Sequence, residues 1–196
     1  VQHQANRILV KIAINDVQLM PAASMQVYFA WVMNAVQMTE SDSTLLALAS
    51  LQVLLRQEAY RRPFFEYTDS IHQLCEILKF KAGSATSIQP QYMVMVVLWV
   101  LTFDSYIATA LERKFTCIAD IAKLLVSSRK EKVVRMCLAT LANLVEKPST
   151  AAATTNAEVM ISHKVLPFVE KRAENEDYGA DEDVQGYVTV INAKLG

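Results

Sequence analysis

Ile71-His72-Gln73-Leu74-Cys75-Glu76-Ile77-Leu78 returns 47 residues later as Ile118-Ala119-Asp120-Ile121-Ala122-Lys123-Leu124-Leu125. Both copies carry apolar residues at the spacing of one helix face. A second set of segments recurs in phase with them: Leu45 to Leu55, Tyr92 to Phe103 and Val133 to Val145. Each holds a leucine pair three apart, Leu51/Leu54, Leu98/Leu101 and Leu138/Leu141, at offsets of 47 and then 40 residues. Periods of about 40–47 residues made of paired or tripled helices mark armadillo and HEAT arrays. Such units cannot bury their apolar faces alone, so they stack, and the stack offers a long curved surface to a polypeptide. The expected fold is all-α, a right-handed armadillo/HEAT-like solenoid, with residues 1–196 forming one helical-repeat domain.

Composition agrees with that reading. Of 196 residues, 53% are hydrophobic and only 20% charged, which supports a large core and excludes a disordered chain. Four glycines and five prolines suit long helices joined by short connections. Mean hydropathy is +0.20, but the longest apolar run, Tyr92 to Leu101, is half the roughly 20 residues a membrane-spanning helix needs. It reads as a helix buried in the stack. A net charge of -1 supplies no general attraction for nucleic acid or an anionic membrane. Locally the charge is uneven. Lys123 to Arg135 holds five basic residues and one acid, and Glu170 to Asp183 holds seven acids and two basic residues. These are either solvated helix ends or a complementary pair of docking surfaces. Cys75, Cys117 and Cys137 lack any metal-binding spacing and read as buried thiols in a reducing compartment. The opening residues carry no secretory pattern. They enter an apolar helical pattern almost at once, so the expectation is a segment preceded by further repeats.

Helices are predicted over Asn6–Met20, from Pro21 to about Gln37, from the Ser41-Asp42-Ser43 caps through Arg56, over a short aromatic piece Phe64–Tyr67, and from Asp69 or Ser70 to near Lys81. Ala82 to Pro90 reads as a loop. Gln91–Phe103, Asp104–Arg113, Phe115–Val126, a helix ending at Lys147, a pair within Glu158–Arg172, and Asp183–Leu195 follow. Ser128 with Glu131 suggests a capping box at the start of the helix ending at Lys147. Pro148 to Asn156 reads as an exposed, mobile loop.

Catalytic signatures are scarce. The three histidines are far apart and no HExxH or His/Cys cluster occurs, so no metal site is expected. His72 and Cys75 share a helix face, but no orienting group or oxyanion donor accompanies them, and a surface histidine beside a core thiol is the simpler reading. Glycine-rich phosphate loops are missing, so no nucleotide cofactor is expected. Trp31 and Trp99 lie in apolar helical runs and are expected in the core. Arg56, Arg61 and Arg62 near Tyr60, Phe64 and Phe65 could stack nucleic acid, yet no basic stripe elsewhere supports this. Met20, Met25, Met33 and Met38 read as core gap-fillers.

Particular residues resemble a known family. The run Lys130-Glu131-Lys132-Val133-Val134-Arg135-Met136-Cys137-Leu138-Ala139-Thr140-Leu141-Ala142-Asn143-Leu144-Val145-Glu146-Lys147 resembles the KEKV…R…LA…NxLEK helix of the regulatory H subunits of the vacuolar-type proton ATPase (V-ATPase). Gln91-Tyr92, with Leu98-Trp99-Val100-Leu101-Thr102-Phe103, is similar to that family's QYQ…WLLTF helix. Tyr60-Arg61 with Phe65-Glu66 resembles its EYR…FVE segment. Lys164-Val165-Leu166 and Tyr178…Asp181-Glu182-Asp183-Val184 resemble its KVL…YDDEDI tail. These matches run collinearly along nearly the whole chain. The resemblance implies the N-terminal armadillo/HEAT-like domain of a cytosolic regulatory subunit on the cytosolic face of vacuolar and endosomal membranes. It implies binding to the E- and G-type peripheral-stalk subunits and other soluble-sector subunits, support of coupling between ATP hydrolysis and proton transport, and no catalytic site of its own. It also implies earlier repeats and a later C-terminal domain outside this chain.

In an armadillo-like stack the inner helix of each repeat faces the partner. By position, Lys130, Lys132, Arg135 and Asn143, with Gln52 and Arg56 one repeat earlier, are the candidate partner-binding residues. Reversing the charge of Lys132 and Arg135 is expected to weaken stalk binding with little change in thermal stability. Two other readings remain at this point: an unrelated armadillo/HEAT adaptor, and an enzyme using Cys75 or Cys137. Direct membrane insertion and nucleic-acid binding are not expected. An uncapped apolar end would allow the isolated segment to self-associate.

Overall fold

A computed structural model describes residues 20–37, 42–79, 87–147 and 155–196. Within them the chain forms eleven α-helices, one 3-10 turn at Glu58–Tyr60 and no strand. The helices are α1 Ala22–Gln37, α2 Asp42–Leu55, α3 Arg61–Glu66, α4 Ser70–Leu78, α5 Ile88–Leu101, α6 Ser105–Phe115, α7 Cys117–Ser127, α8 Glu131–Glu146, α9 Asn156–Ser162, α10 Val165–Ala173 and α11 Glu182–Leu195. Residues 6–19 of the predicted Asn6–Met20 helix, Met38, and the bodies of the loops before α5 and α9 lie outside the described residues.

These helices fall into threes. A short first helix (α3, α6, α9) leads to a second (α4, α7, α10) and a longer third (α5, α8, α11), with α1 and α2 preceding the first full set. Third helices pack on third helices, α2 on α5, α5 on α8 and α8 on α11. Second helices form a parallel row, α1 on α4, α4 on α7 and α7 on α10. Between the rows lies one continuous apolar core from Tyr28 to Ile191. Phe29 packs edge-on against Phe64 at 5.2 Å, and Phe65 against Phe115 at 5.7 Å. The side-chain ties between repeats repeat the period: Arg62 to Asp104, Asn143 to Thr102, Asn156 to Ala108 and Arg172 to Leu125 span 41 to 48 residues.

Local chemistry sets the helix ends. The Asp104 carboxylate accepts the amides of Tyr106 and Ile107, capping α6, while Arg62 of the preceding repeat donates to it at 2.8 Å. Burial pushes this carboxyl up; the Arg62 and amide hydrogen bonds outweigh it and hold it below the usual carboxylate range. Its lowered value means this contribution is complete at neutral pH and is lost as pH falls through the carboxylate range.

Each second helix is entered through a left-handed residue: Asp69 at φ 58°, Thr116 at 52° and Lys164 at 54°. This elbow lets a short helix turn sharply into the next. A β-branched residue is disfavoured there, so Thr116 is strained. Thr116→Gly is expected to raise stability by about 1 kcal/mol, measured by urea unfolding. A loss of stability would mean that the elbow is not strained.

Two sequence expectations are corrected. Helix α8 starts at Glu131 with Lys130 as its N-cap, and no side chain caps it. Ser128 is extended and its hydroxyl accepts the Lys130 amide instead, so Ser128 and Glu131 form no capping box. The true box joins Thr155 and Glu158 at α9. Helix α5 begins at Ile88, earlier than Gln91, because Pro90 falls in the first turn, where its missing N–H costs nothing.

Candidate partner-binding surface

The third-helix row carries an outward stripe that repeats from helix to helix. On α5 the residues left partly open at i, i+4 and i+7 are Tyr92, Val96 and Trp99, and Phe103 continues the line past the helix end. Phe103 is 47% exposed, and its ring meets Trp99 edge-on at 5.0 Å. Equivalent positions on α2 are Leu45, Ala49, Gln52 and Arg56; on α8 they include Lys132, Met136 and Asn143; on α11 they are Asp183, Tyr187, Val190 and Lys194. The middle of this surface is apolar and aromatic, with cations towards its edges.

Trp99, expected in the core from its apolar surroundings, sits instead on this open stripe, only partly buried. Trp31 is also partly buried and packs against Tyr28 at 5.8 Å. The other predicted residues are placed as follows. Gln52 donates from Nε2 to the Met93 carbonyl at 2.9 Å, tying α2 to α5. Arg56 is exposed just past α2, and Arg61 donates to its carbonyl oxygen. Lys130 is exposed at the start of α8. Lys132 reaches back to α5, donating to Gln89 Oε1 and lying 4.9 Å from the centre of the Tyr92 ring. Asn143 donates from Nδ2 to Thr102 Oγ1 at 3.1 Å. Thus Gln52, Arg56, Lys132 and Asn143 share the stripe, and three of them also bridge adjacent repeats.

Arg135 stands apart. Its guanidinium meets Glu131 on its own helix, Asp181 at 3.1 Å and Asp183 at 3.2 Å. Glu131 first, then Asp181, hold it firmly charged. Part of the basic patch and part of the acidic patch seen in the sequence therefore close on each other within the chain. Reversing Arg135 would set a fourth carboxylate among three, so unchanged stability no longer follows for the Lys132/Arg135 double reversal. The stripe itself offers cleaner probes.

Elsewhere the chemistry is sparse. His72 is exposed and points towards Glu76 at 4.0 Å, while the Cys75 sulfur faces Cys117. Tyr60, Phe64 and Phe65 are buried and cannot stack on bases. Among the described residues no group of three His, Cys, Asp or Glu side chains is placed to hold a metal ion, and no helix is long and apolar enough to cross a membrane. An open groove of about 410 Å³ lined by Ala119, Ala122, Lys123, Val126, His163 and Phe168 lies beside α7 and α10, in the other row.

The stacked three-helix units and the repeating outward stripe define a helical-repeat protein of the armadillo/HEAT kind. A family profile of the V-ATPase H subunit matches residues 1–195. The chain belongs to that family. It is 31% identical over 184 residues to the V-type proton ATPase H subunit of Drosophila melanogaster, covering 91% of this chain and 38% of that protein. It is 31% identical over 118 residues to the H subunit of Dictyostelium discoideum, covering 60% and 26%. It is 28% identical over 170 residues to the second of two probable H subunits of Caenorhabditis elegans, covering 86% and 35%. The chain thus spans well under half the length of these relatives.

Proposed function

We propose that this chain is a noncatalytic, regulatory scaffold segment of a V-type proton-pumping ATPase. It docks on the peripheral-stalk subunits of E and G type and supports the coupling of ATP hydrolysis to proton transport. In that role it works from the cytoplasmic side, held at the vacuolar or endosomal membrane through the complex. The observation that carries the reading is the open stripe Tyr92–Val96–Trp99–Phe103 in a chain of this family. An extended helical partner laid across the third-helix row would bury its apolar face on this stripe, and its acidic residues would meet Arg56 and Lys132.

The test is binding of the purified chain to an E/G-type stalk heterodimer by calorimetry. Trp99→Ala with Phe103→Ser is expected to weaken binding at least tenfold, because large aromatics at the centre of an interface dominate its energy. The circular dichroism spectrum should be unchanged. Undiminished affinity in the folded double variant would remove the stripe from the interface.

A further inference from the structure

Cys75 in α4 and Cys117 at the start of α7 meet across the junction of adjacent repeats, with Sγ to Sγ at 3.2 Å. They are 2% and 0% exposed, and both are free thiols. The two positions lie 42 residues apart, short of the 47 that separate equivalent positions of the two helices, so the body of α4 supplies one sulfur and the first residue of α7 the other. A single buried cysteine is ordinary core. This pair differs because each sulfur packs on the other across the junction between two repeats. A disulfide has an S–S length of about 2.05 Å, so closure asks for little more than about 1 Å of relative sulfur movement. Cys137 lies in α8, in the other row, and serves as an internal control.

We propose that Cys75 and Cys117 form an inter-repeat disulfide site, closed by exchange with a small-molecule disulfide such as oxidised glutathione. One cysteine loses its proton, and its thiolate attacks a glutathione sulfur, breaking that S–S bond and releasing one glutathione thiolate. The second cysteine, deprotonated in turn, attacks the mixed disulfide and releases the other. The protein loses two electrons and two protons; the glutathione disulfide takes up the electrons as its S–S bond breaks, and the two thiolates released take up the protons. The hydrogen bond with Cys75 and burial hold the Cys117 thiol well above its ordinary value. Closure therefore needs local opening of the α4–α7 packing, and it is slow. The same burial makes reduction of the product slow as well. The bond fixes α4 against α7 and stiffens that repeat junction.

The test incubates the folded chain with oxidised glutathione and follows free thiols, peptide maps and melting. Free thiols should fall from three to one, with the bond mapped to Cys75 and Cys117. The melting temperature should rise by several degrees and return on adding dithiothreitol. Cys75→Ala and Cys117→Ala should each abolish the change, and Cys137→Ala should retain it. Three thiols surviving in the folded chain while the urea-unfolded chain is fully oxidised would overturn the proposal. So would a bond that maps to Cys137, or a melting temperature that falls on closure.

Discussion

Leu138→Asp is expected to unfold the chain or to cost roughly 3 kcal/mol or more. Leu138 is 0% exposed, in the middle of α8. That helix packs on α5, α7 and α11 together, and Leu138 lies on its buried side. An unpaired charge there must either stay buried or split the repeat. Since whole domains are held by only about 5–15 kcal/mol, one such residue consumes a large part of the total. Urea unfolding followed by circular dichroism measures it. A cost below about 1 kcal/mol would mean that α8 presents a different face to the core.

Arg172→Ala is the second large effect, and it comes from a cap rather than from the core. Helix α7 ends at Ser127 with carbonyls that no longer have helical partners. The Arg172 guanidinium, from α10, donates to the carbonyls of Leu125, Val126 and Ser128 at 2.7 to 2.9 Å and to the Tyr178 hydroxyl at 3.3 Å. It satisfies the helix end, matches its negative pole and joins two repeats at once. Its loss is expected to cost about 2–3 kcal/mol. Arg172→Lys should recover less than half, because an ammonium cannot reproduce the fork. A loss under about 0.5 kcal/mol in the alanine variant would mean that water caps α7 equally well.

The repeat architecture is legible in the sequence because the leucine pairs and the Ile71/Ile118 octets report burial directly. The bounds of α1, α2, α7 and α11 follow within about two residues. What escapes is geometry that depends on the repeat offset itself. The two charge patches are visible in the sequence, but not that Arg135 meets Asp181 and Asp183, because that needs α11 laid beside α8. The Thr155–Glu158 box is hidden in a stretch of threonine and alanine that reads as loop. Trp99 is misplaced for a more general reason. Helix α5 is apolar all round, and such a helix reads as fully buried. Periodicity marks an open face only where that face is polar, and here the open face is aromatic. Of the candidate residues, Gln52, Arg56, Lys132 and Asn143 are placed on the third-helix row by their spacing, while the aromatic centre between them goes unread.

Hydroxyl-radical footprinting of the chain with and without the E/G-type stalk heterodimer asks the central question at the level of side chains. Partner binding on the third-helix row predicts loss of labelling at Tyr92, Trp99, Phe103 and Met136, with Phe168 in the other row unchanged. Protection of Phe168 with continued labelling of Trp99 and Phe103 in the saturated complex would contradict it.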